Sequence, residues 1–347
     1  MSTKANKILA GIGLAVGGVT LGCAALYTEI MTSVIARRRN DFTDAIVAAT
    51  GEAAPLDETV AATIREKSQA LRDLGLEQVS IRSKEGYVLR AHWYPAPGAT
   101  RTLILAHGWR SRWDVDFSVS APFFHDCGCN LLFIDQRCHG DSGGDLIAYG
   151  ILERHDIVAW LDWLDEHHRG VPVYLCGVSM GASAALMTAE LPVADRVTAI
   201  IADCGYSTPD GIVKRTVKKT LGGMTGPTLA AVNINCKLRC GFTLKSASPV
   251  KAMAQNTEIP CLFIHGDADT FVPVRMSIEN YYACRAPKEL YVVPGAGHGL
   301  SYLVNTEGYR RKVLDFFEAW DNRLPPPAPA ETKKKKRSGK KRSAETV

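Results

Sequence analysis

Residues 171–187 read VPVYLCGVSMGASAALM, a sequence typical of a strand, a tight turn and the start of a helix. Its first six residues form an apolar run typical of a buried strand, and the residues after Gly181 are rich in Ala, which favours helix. In the motif GVSMG between them, Ser179 stands at a strand-to-helix turn with a glycine two residues away on each side. Larger side chains at those two positions would collide with the turn, and the following helix N-terminus favours negative charge. The stretch therefore predicts a nucleophilic hydroxyl on Ser179.

A neutral hydroxyl is a weak nucleophile, so Ser179 needs a base, and His298 has the best setting for that role. It lies in PGAGHG (294–299), a glycine-rich loop directly after the last predicted strand. A carboxylate must orient the base, and Asp269 in HGDADTFVP (265–273) follows the preceding strand. Asp267 is the competing carboxylate. The chain order Ser179, Asp269, His298 is the one expected when the nucleophile stands on such an elbow.

Acyl transfer also needs hydrogen-bond donors for the oxyanion. The motif HGW (107–109) follows the predicted strand over residues 102–106. We therefore expect the backbone amides of Trp109 and Met180 to converge above Ser179, while their side chains shape the pocket. His107 is predicted to be a structural hydrogen-bonding residue rather than a second base.

Short apolar runs alternate with longer amphipathic runs between residues 87 and 320, a pattern typical of a doubly wound sheet. Several of the short runs are unbroken Leu, Ile, Val and Phe, as in parallel strands that are covered on both faces. A helix is predicted over residues 55–75, before the first strand. The sequence thus predicts one α/β domain over residues 55–323, with a mostly parallel sheet.

One connection, from residue 204 to residue 257, is longer than a simple crossover requires. We predict that residues 205–250 within it form a small helical lid over the carboxyl edge of the sheet, where ligands of such sheets bind. Residues 205–247 carry seven basic side chains against Asp210 alone. Either these charges keep the lid soluble, or they attract an anionic substrate or membrane surface.

Five motifs taken together resemble the α/β-hydrolase family: HGW (107–109), DQRCHGDSGG (135–144), GVSMG (177–181), HGDADTFVP (265–273) and GAGH (295–298). The chain is most similar to the bacterial membrane-anchored serine hydrolases of that family, known as serine aminopeptidase-like or acylglycerol-lipase-like. The resemblance covers about residues 75–320.

This resemblance implies the α/β-hydrolase fold, with Ser179 as nucleophile, His298 as base, Asp269 as its orienting carboxylate and a lid after position 204. It further implies that three residues of the second motif brace a loop, namely Asp135, Arg137 and His139. Cys138 stands where Gly or Ala is commoner in the family.

The N-terminus contains a segment apolar enough to cross a membrane. Residues 8–27, ILAGIGLAVGGVTLGCAALY, carry no charge, and a helix of that length spans about 30 Å. We predict a single-pass transmembrane helix within an anchor of residues 1–40. A cleaved signal peptide and a lipoprotein processing site at residues 20–23 are the competing interpretations. Basic residues flank both ends of the segment, so the side of the membrane that the catalytic domain faces stays open.

The net charge of +5 belongs to the C-terminal tail. Residues 331–347 carry eight basic and two acidic side chains, which leaves residues 1–330 at −1. The proline-rich and polybasic segment over residues 324–347 cannot bury itself and is predicted to be disordered. Anionic lipid is the candidate partner of this tail. A nearly neutral body argues against specific nucleic-acid binding.

The ten cysteines mostly lie in apolar, strand-like runs, as expected of reduced core residues. Neither the pair Cys127 and Cys129 nor the pair Cys236 and Cys240 has the second Cys/His pair that a structural zinc site needs. The sequence therefore predicts no metal and no cofactor.

Together these features predict a serine hydrolase that cleaves a small or lipid-like carboxylic ester through an acyl-enzyme intermediate. Cleavage of an amide or peptide bond by the same residues is the main alternative. A membrane-tethered binding module without turnover would not need all three of Ser179, Asp269 and His298. Dehalogenation on this fold would need Asp at position 179. The sequence leaves the oligomeric state open.

Overall fold

The structure is a computed structural model that describes residues 25–33, 35–36, 56–168 and 170–323 of the 347-residue chain. The predicted span over residues 8–27 lies outside these ranges except for its last three residues, and the predicted tail over residues 324–347 lies outside them entirely. Within the described ranges, no helix combines the length and the apolar character needed to cross a bilayer.

An eight-stranded sheet forms the centre of the fold. The strands are β1 (Glu77–Arg82), β2 (Val88–Tyr94), β3 (Arg101–Ala106), β4 (Cys129–Ile134), β5 (Val173–Val178), β6 (Ala199–Asp203), β7 (Cys261–Gly266) and β8 (Lys288–Val293). Their order across the sheet is β1-β2-β4-β3-β5-β6-β7-β8. β2 pairs antiparallel with β1 and β4, and the remaining neighbours pair in parallel. The predicted mostly parallel sheet is confirmed.

β1 is absent from the strands predicted by sequence, and its position in the sheet explains why. It is an edge strand, and its residues alternate between exposed and half-buried without one that is fully buried. An edge strand of this kind lacks the continuous apolar run that identifies β5 or β7.

Helices cover both faces of the sheet. They are α1 (Glu58–Asp73), α2 (Trp113–Asp116), α3 (Ala121–Asp126), α4 (Glu153–His167), α5 (Met180–Thr188), α6 (Pro209–Leu221), α7 (Thr225–Cys240), α8 (Pro249–Gln255), α9 (Arg275–Ala283), α10 (Ser301–Val304) and α11 (Thr306–Trp320). α1 corresponds to the helix predicted over residues 55–75. It begins after Asp57, whose carboxylate accepts the Thr59 amide at 2.9 Å and so caps the helix.

Two buried apolar clusters lie on opposite faces of the sheet. Ile104 of β3 belongs to the cluster that contains Trp160 of α4, whereas its neighbour Leu105 belongs to the cluster that contains Phe316 of α11. Successive strand residues point to opposite faces, so this alternation assigns α4 and α11 to the two outer layers. Both faces of the sheet are therefore covered, as the apolar strands predict.

The folded unit includes part of the segment assigned to the membrane anchor. Residues 25–33 and 35–36 are helical, and we call them the N-terminal helix. Ile35 and Ala36 are buried in the core cluster on the α4 face. The carbonyl of Ile35 accepts hydrogen bonds from the Trp109 indole at 3.0 Å and the Tyr149 hydroxyl at 2.5 Å. The N-terminal helix thus packs onto the loop that follows β3.

The insertion between β6 and α8 is helical, as predicted for residues 205–250, and consists of α6 and α7 joined by a 3₁₀ turn. It holds the N-terminal helix through side-chain hydrogen bonds. The Asn235 amide donates to the Thr32 hydroxyl at 2.9 Å, and the Arg239 guanidinium donates to the Glu29 carboxylate at 3.0 Å. The chain that leaves the predicted span therefore runs directly against α7.

Candidate active site

Ser179 occupies the single-residue turn between β5 and α5. Its backbone has φ of +56° and ψ of −113°, a conformation that few residues other than glycine adopt. The Ser179 amide donates to the Asp203 carbonyl on the neighbouring strand β6 at 2.8 Å. The turn is thereby held against the carboxyl edge of the sheet, with the side chain directed away from the strand ladder.

The two glycines beside Ser179 are required by close backbone approach. A Cβ atom added to Gly177 would lie 2.3 Å from the carbonyl carbon of Gly181, and one added to Gly181 would lie 1.9 Å from the Ala106 oxygen. Atoms cannot approach so closely, so any other residue would force β5, α5 and β3 apart. This explains the spacing of glycines in the motif.

The structure brings Ser179, His298 and Asp269 together. The Ser179 Oγ lies 2.9 Å from His298 Nε2, and His298 Nδ1 lies 2.6 Å from Asp269 Oδ2. Since a carboxylate can only accept, Nδ1 carries the proton of the neutral imidazole and donates it to Asp269. Nε2 is then the acceptor that faces the serine hydroxyl. This tautomer is the one that a general base requires.

Asp269 is buried and fully engaged. Its Oδ1 accepts the amides of Phe271 and Val272, each at 2.9 Å. Its Oδ2 accepts from His298 and also lies 3.1 Å from His265 Nε2. Burial raises the pKa of Asp269, but the hydrogen bonds from His265 and His298 lower it by a larger amount. The pKa of Asp269 therefore lies well below its usual value. The carboxylate therefore stays charged at neutral pH.

His265 supports Asp269, a role that was not predicted from the sequence. Its Nε2 faces two acceptors, Asp269 Oδ2 and the Val272 carbonyl at 2.8 Å, so it carries a proton and donates. Its Nδ1 lies 2.7 Å from the Ser277 hydroxyl on α9. His265 stands four residues before Asp269 in the HGDADTFVP motif, and that position is the available sequence signal for its role.

The two residues considered as alternatives have other contacts. Asp267 accepts the Gly295 amide at 2.7 Å and so braces the loop that carries His298. His107 is buried, and its Nε2 accepts the Gln136 amide at 3.2 Å. The structure therefore brings Asp269 rather than Asp267 to His298, and it gives His107 structural hydrogen bonds.

The loop after β3 lies against Ser179, where the oxyanion donors were predicted. A Cβ added to Gly108 would stand 3.3 Å from the Ser179 Cβ. The Gly108 amide is already used, since it donates to Asp116 Oδ2 at 2.6 Å. In the described part of the chain, the backbone amides of Trp109 and Met180 have no protein acceptor. Their role as oxyanion donors remains a prediction.

A cavity of about 260 Å³ opens beside Ser179 and His298. Its walls are mainly apolar and come from α1, from the α2 region, and from the loops after β7 and β8. Apolar side chains that line it include Leu56, Ile64, Val115, Val119, Phe271 and Leu303. Among the described residues, none from the insertion over residues 205–250 lines the cavity. Ile64 of α1 and Leu56, just before that helix, form part of the cavity wall that the predicted lid was expected to form.

Comparisons with known proteins identify the family of this chain. The sequence model of the alpha/beta hydrolase family matches residues 103–311. The chain belongs to the alpha/beta hydrolase family. Protein YqkD of Bacillus subtilis (strain 168) is 31% identical to this hydrolase over 245 residues, which are 69% of this chain and 78% of YqkD. Protein YfhR of Escherichia coli (strain K12) is 24% identical over 251 residues, covering 69% of this chain and 80% of YfhR.

Solved structures share the fold of this hydrolase. The esterase Pf2001 of Pyrococcus furiosus is 24% identical, with a TM-score of 0.57, and the match covers 72% of this chain and 95% of Pf2001. Est1E of Butyrivibrio proteoclasticus, solved with ferulic acid bound, is 17% identical, with a TM-score of 0.54 and coverage of 70% and 98%. At these identities the likeness shows the fold.

The loop after β4 in this hydrolase is held by buried polar contacts. Arg137 binds Asp156 of α4 with two nitrogens, at 2.6 and 2.7 Å. His139 Nε2 accepts the Arg110 amide at 2.9 Å, which ties this loop to the loop after β3. Cys138 has φ of +64°, in the left-handed region that glycine adopts most easily. Cys138 therefore carries a Cβ atom in a backbone conformation that glycine adopts without strain.

One cluster near the active site resembles a metal site in its residue types. Potential ligand atoms of Cys204, Asp269 and His298 all lie within 4.8 Å of one another. However, Asp269 and His298 are hydrogen-bonded to each other, and burial raises the pKa of the Cys204 thiol well above its usual value. A zinc-bound cysteine is a thiolate, so this arrangement fits a hydrogen-bonded pair beside a neutral thiol better than a metal site.

The buried carboxyl of Asp203, at the end of β6, should make the protein less stable as the pH rises. Burial raises the pKa of its carboxyl to about 6. Since the folded pKa exceeds the unfolded one, the stabilisation by the protonated form is full below about pH 4 and is lost as pH rises through 6. Asp203→Asn should remove this loss, which amounts to at most about 3 kcal/mol of unfolding free energy. The unfolding free energies of the original chain and of Asp203→Asn, measured by urea unfolding at pH 4 and pH 8, give the size of this loss.

The matched control for this prediction is Asp195→Asn, because Asp195 is exposed. That variant should follow the pH dependence of the original chain. If Asp203→Asn also followed it, the buried carboxyl would not titrate in the range predicted.

Proposed function

We propose that this hydrolase is a serine esterase that cleaves a carboxylic ester through an acyl-enzyme intermediate. The observation that carries the proposal is the hydrogen-bonded series from Asp269 through His298 to the Ser179 hydroxyl, at the edge of an apolar cavity. A serine hydroxyl with a correctly oriented imidazole is the arrangement that activates this nucleophile.

In the proposed reaction, the Ser179 oxygen attacks the ester carbonyl while His298 Nε2 takes the hydroxyl proton. The imidazolium that forms is stabilised by the charged Asp269 carboxylate. The amides of Trp109 and Met180 donate hydrogen bonds to the negatively charged carbonyl oxygen. Removal of one such donor typically lowers kcat by about 10²- to 10³-fold. His298 then protonates the departing alcohol, and water attacks the acyl-enzyme by the reverse sequence of proton transfers.

Two features favour an ester over the peptide alternative. Binding a free amino terminus calls for a carboxylate in the cavity, and Asp116 is the one carboxylate among the described lining residues. That side chain already accepts the Gly108 amide and the Ser111 hydroxyl. In addition, the structurally similar Pf2001 is named an esterase.

The test is covalent labelling with a fluorophosphonate, competed by p-nitrophenyl esters of increasing acyl length. We expect one labelled residue, Ser179, identified by peptide mass spectrometry. Because the cavity lies near the low end of the volumes that hold ligands, short acyl esters should compete better than long ones. Label on another residue, or no label on folded protein, would contradict the proposal.

The apolar wall from α1 should set the acyl length. Ile64→Ala removes a half-buried side chain that lines the cavity. It should raise kcat/KM for an octanoyl ester relative to an acetyl ester by about tenfold, since each methylene in an apolar pocket contributes to discrimination. Leu74→Ala, after the end of the same helix and outside the cavity, is the control and should leave the ratio unchanged. An unchanged ratio in Ile64→Ala would place the acyl group elsewhere.

A further inference from the structure

The outer face of α7 is apolar where a soluble protein would be polar. Pro227, Ala230, Ile234 and Leu238 recur at the three- and four-residue spacing of one helix face, and all four are exposed. Leu238 is 81% exposed and Ile234 is 57% exposed. The opposite face, with Val232 and Cys236, is buried in the core. A stripe of exposed apolar side chains on one helix face is typical of a surface that binds another protein or a membrane.

The partner helix α6 presents a basic outer face. Lys214, Lys218 and Lys219 are exposed, and so is Arg215, which also donates to the Thr270 carbonyl at 3.2 Å. Val213 and Val217 on the inner face of α6 are buried. α6 and α7 pack against each other. The insertion therefore combines an apolar stripe on one helix with a cluster of positive charge on its neighbour, the composition typical of helices that lie in a membrane interface.

The N-terminal helix enters the domain beside this surface, and its position also favours a lipid bilayer as the partner. The uncharged segment over residues 8–27 continues into the N-terminal helix, where Leu26 is 62% exposed. That helix is bonded to α7 through Asn235 and Arg239. If residues 8–27 lie in a membrane, the point where the chain leaves it is adjacent to α7.

We propose that α6 and α7 form a surface that binds an anionic phospholipid bilayer. Ile234 and Leu238 enter the boundary between headgroups and acyl chains, and the α6 cations contact the phosphate groups. Amphipathic helices bind in this way through buried apolar area and attraction to anionic lipid. The proposal extends beyond ester hydrolysis and depends on no catalytic residue, so it can be tested in Ser179→Ala protein.

The test is lysine footprinting of the full chain, purified in mild detergent and transferred to vesicles of phosphatidylcholine alone or mixed with phosphatidylglycerol. An amine-reactive reagent and mass spectrometry report each lysine separately. On the mixed vesicles, labelling of Lys214, Lys218 and Lys219 should fall by about fivefold, and high salt should restore it. Lys67, which is exposed on α1 and lies outside the insertion, is the internal control and should not change.

A pair of variants tests the apolar stripe. Ile234→Gln combined with Leu238→Gln should abolish most of the protection while leaving the urea midpoint unchanged, because both side chains are exposed. Leu314→Gln is the matched control, since Leu314 on α11 is 44% exposed. That variant should keep the protection.

Three outcomes would overturn the proposal. The first is equal labelling of the α6 lysines on both kinds of vesicle. The second is failure of the full chain to associate with the mixed vesicles. The third is protection in lipid-free protein that grows with protein concentration, which would make the stripe an interface between copies of the chain.

Discussion

Ser179→Ala is expected to lower kcat for ester hydrolysis by about 10⁵- to 10⁶-fold, close to the rate without the nucleophile. The proposed reaction forms a covalent bond to the Ser179 oxygen, and no other described hydroxyl lies within hydrogen-bonding distance of His298. Burst and steady-state release of p-nitrophenol from a short-chain ester measure the loss. Fluorophosphonate labelling of the variant should disappear in parallel.

Two further serine variants separate chemistry from folding. Ser179→Gly should lose activity equally but gain about 1 kcal/mol in unfolding free energy, because glycine adopts φ of +56° without strain. Ser80→Ala, at an exposed position on β1, should leave both rate and stability unchanged. A folded Ser179→Ala protein that hydrolyses esters at the original rate would disprove the proposed mechanism.

Asp269→Asn is expected to lower kcat by about 10⁴-fold. The asparagine oxygen can still accept the amides of Phe271 and Val272, so its NH₂ group must face His298 Nδ1. Two donors cannot face each other, and the imidazole is driven to the tautomer that presents a proton to Ser179. The base is then unable to accept the hydroxyl proton. The measurement is kcat as a function of pH.

Asp267→Asn is the matched control for this experiment. Its oxygen can still accept the Gly295 amide, so the loop that carries His298 should keep its position. We expect a change in kcat of less than about threefold, since no charge next to the imidazole is lost. A large loss in Asp267→Asn together with a silent Asp269→Asn would reverse the assignment of the orienting carboxylate.

Most of the active-site residues could be predicted from sequence because each stands at a defined point of a regular pattern. Ser179 and Asp269 follow the buried strands β5 and β7, and His298 follows the half-buried edge strand β8. The carboxyl ends of parallel strands meet at one edge of the sheet. Proximity in space therefore follows from the order of strands, even though 119 residues separate Ser179 from His298.

The cavity wall could not be predicted in the same way. Ile64 belongs to α1, which precedes the sheet in the chain, and Leu56 lies just before that helix. Nothing in their local sequence indicates which loop they will contact. The insertion over residues 205–250 packs against the N-terminal helix, and none of its described residues lines the cavity. Such contacts depend on which apolar faces remain uncovered after the sheet is formed.

The sequence alone determined the family, the mostly parallel sheet and the three residues proposed for catalysis, because glycine spacing and apolar periodicity are local consequences of backbone geometry. The tertiary structure decided which carboxylate reaches His298, that His265 supports it, and which helix lines the cavity. Those outcomes depend on distances between residues far apart in the chain, which are set only when both faces of the sheet are packed.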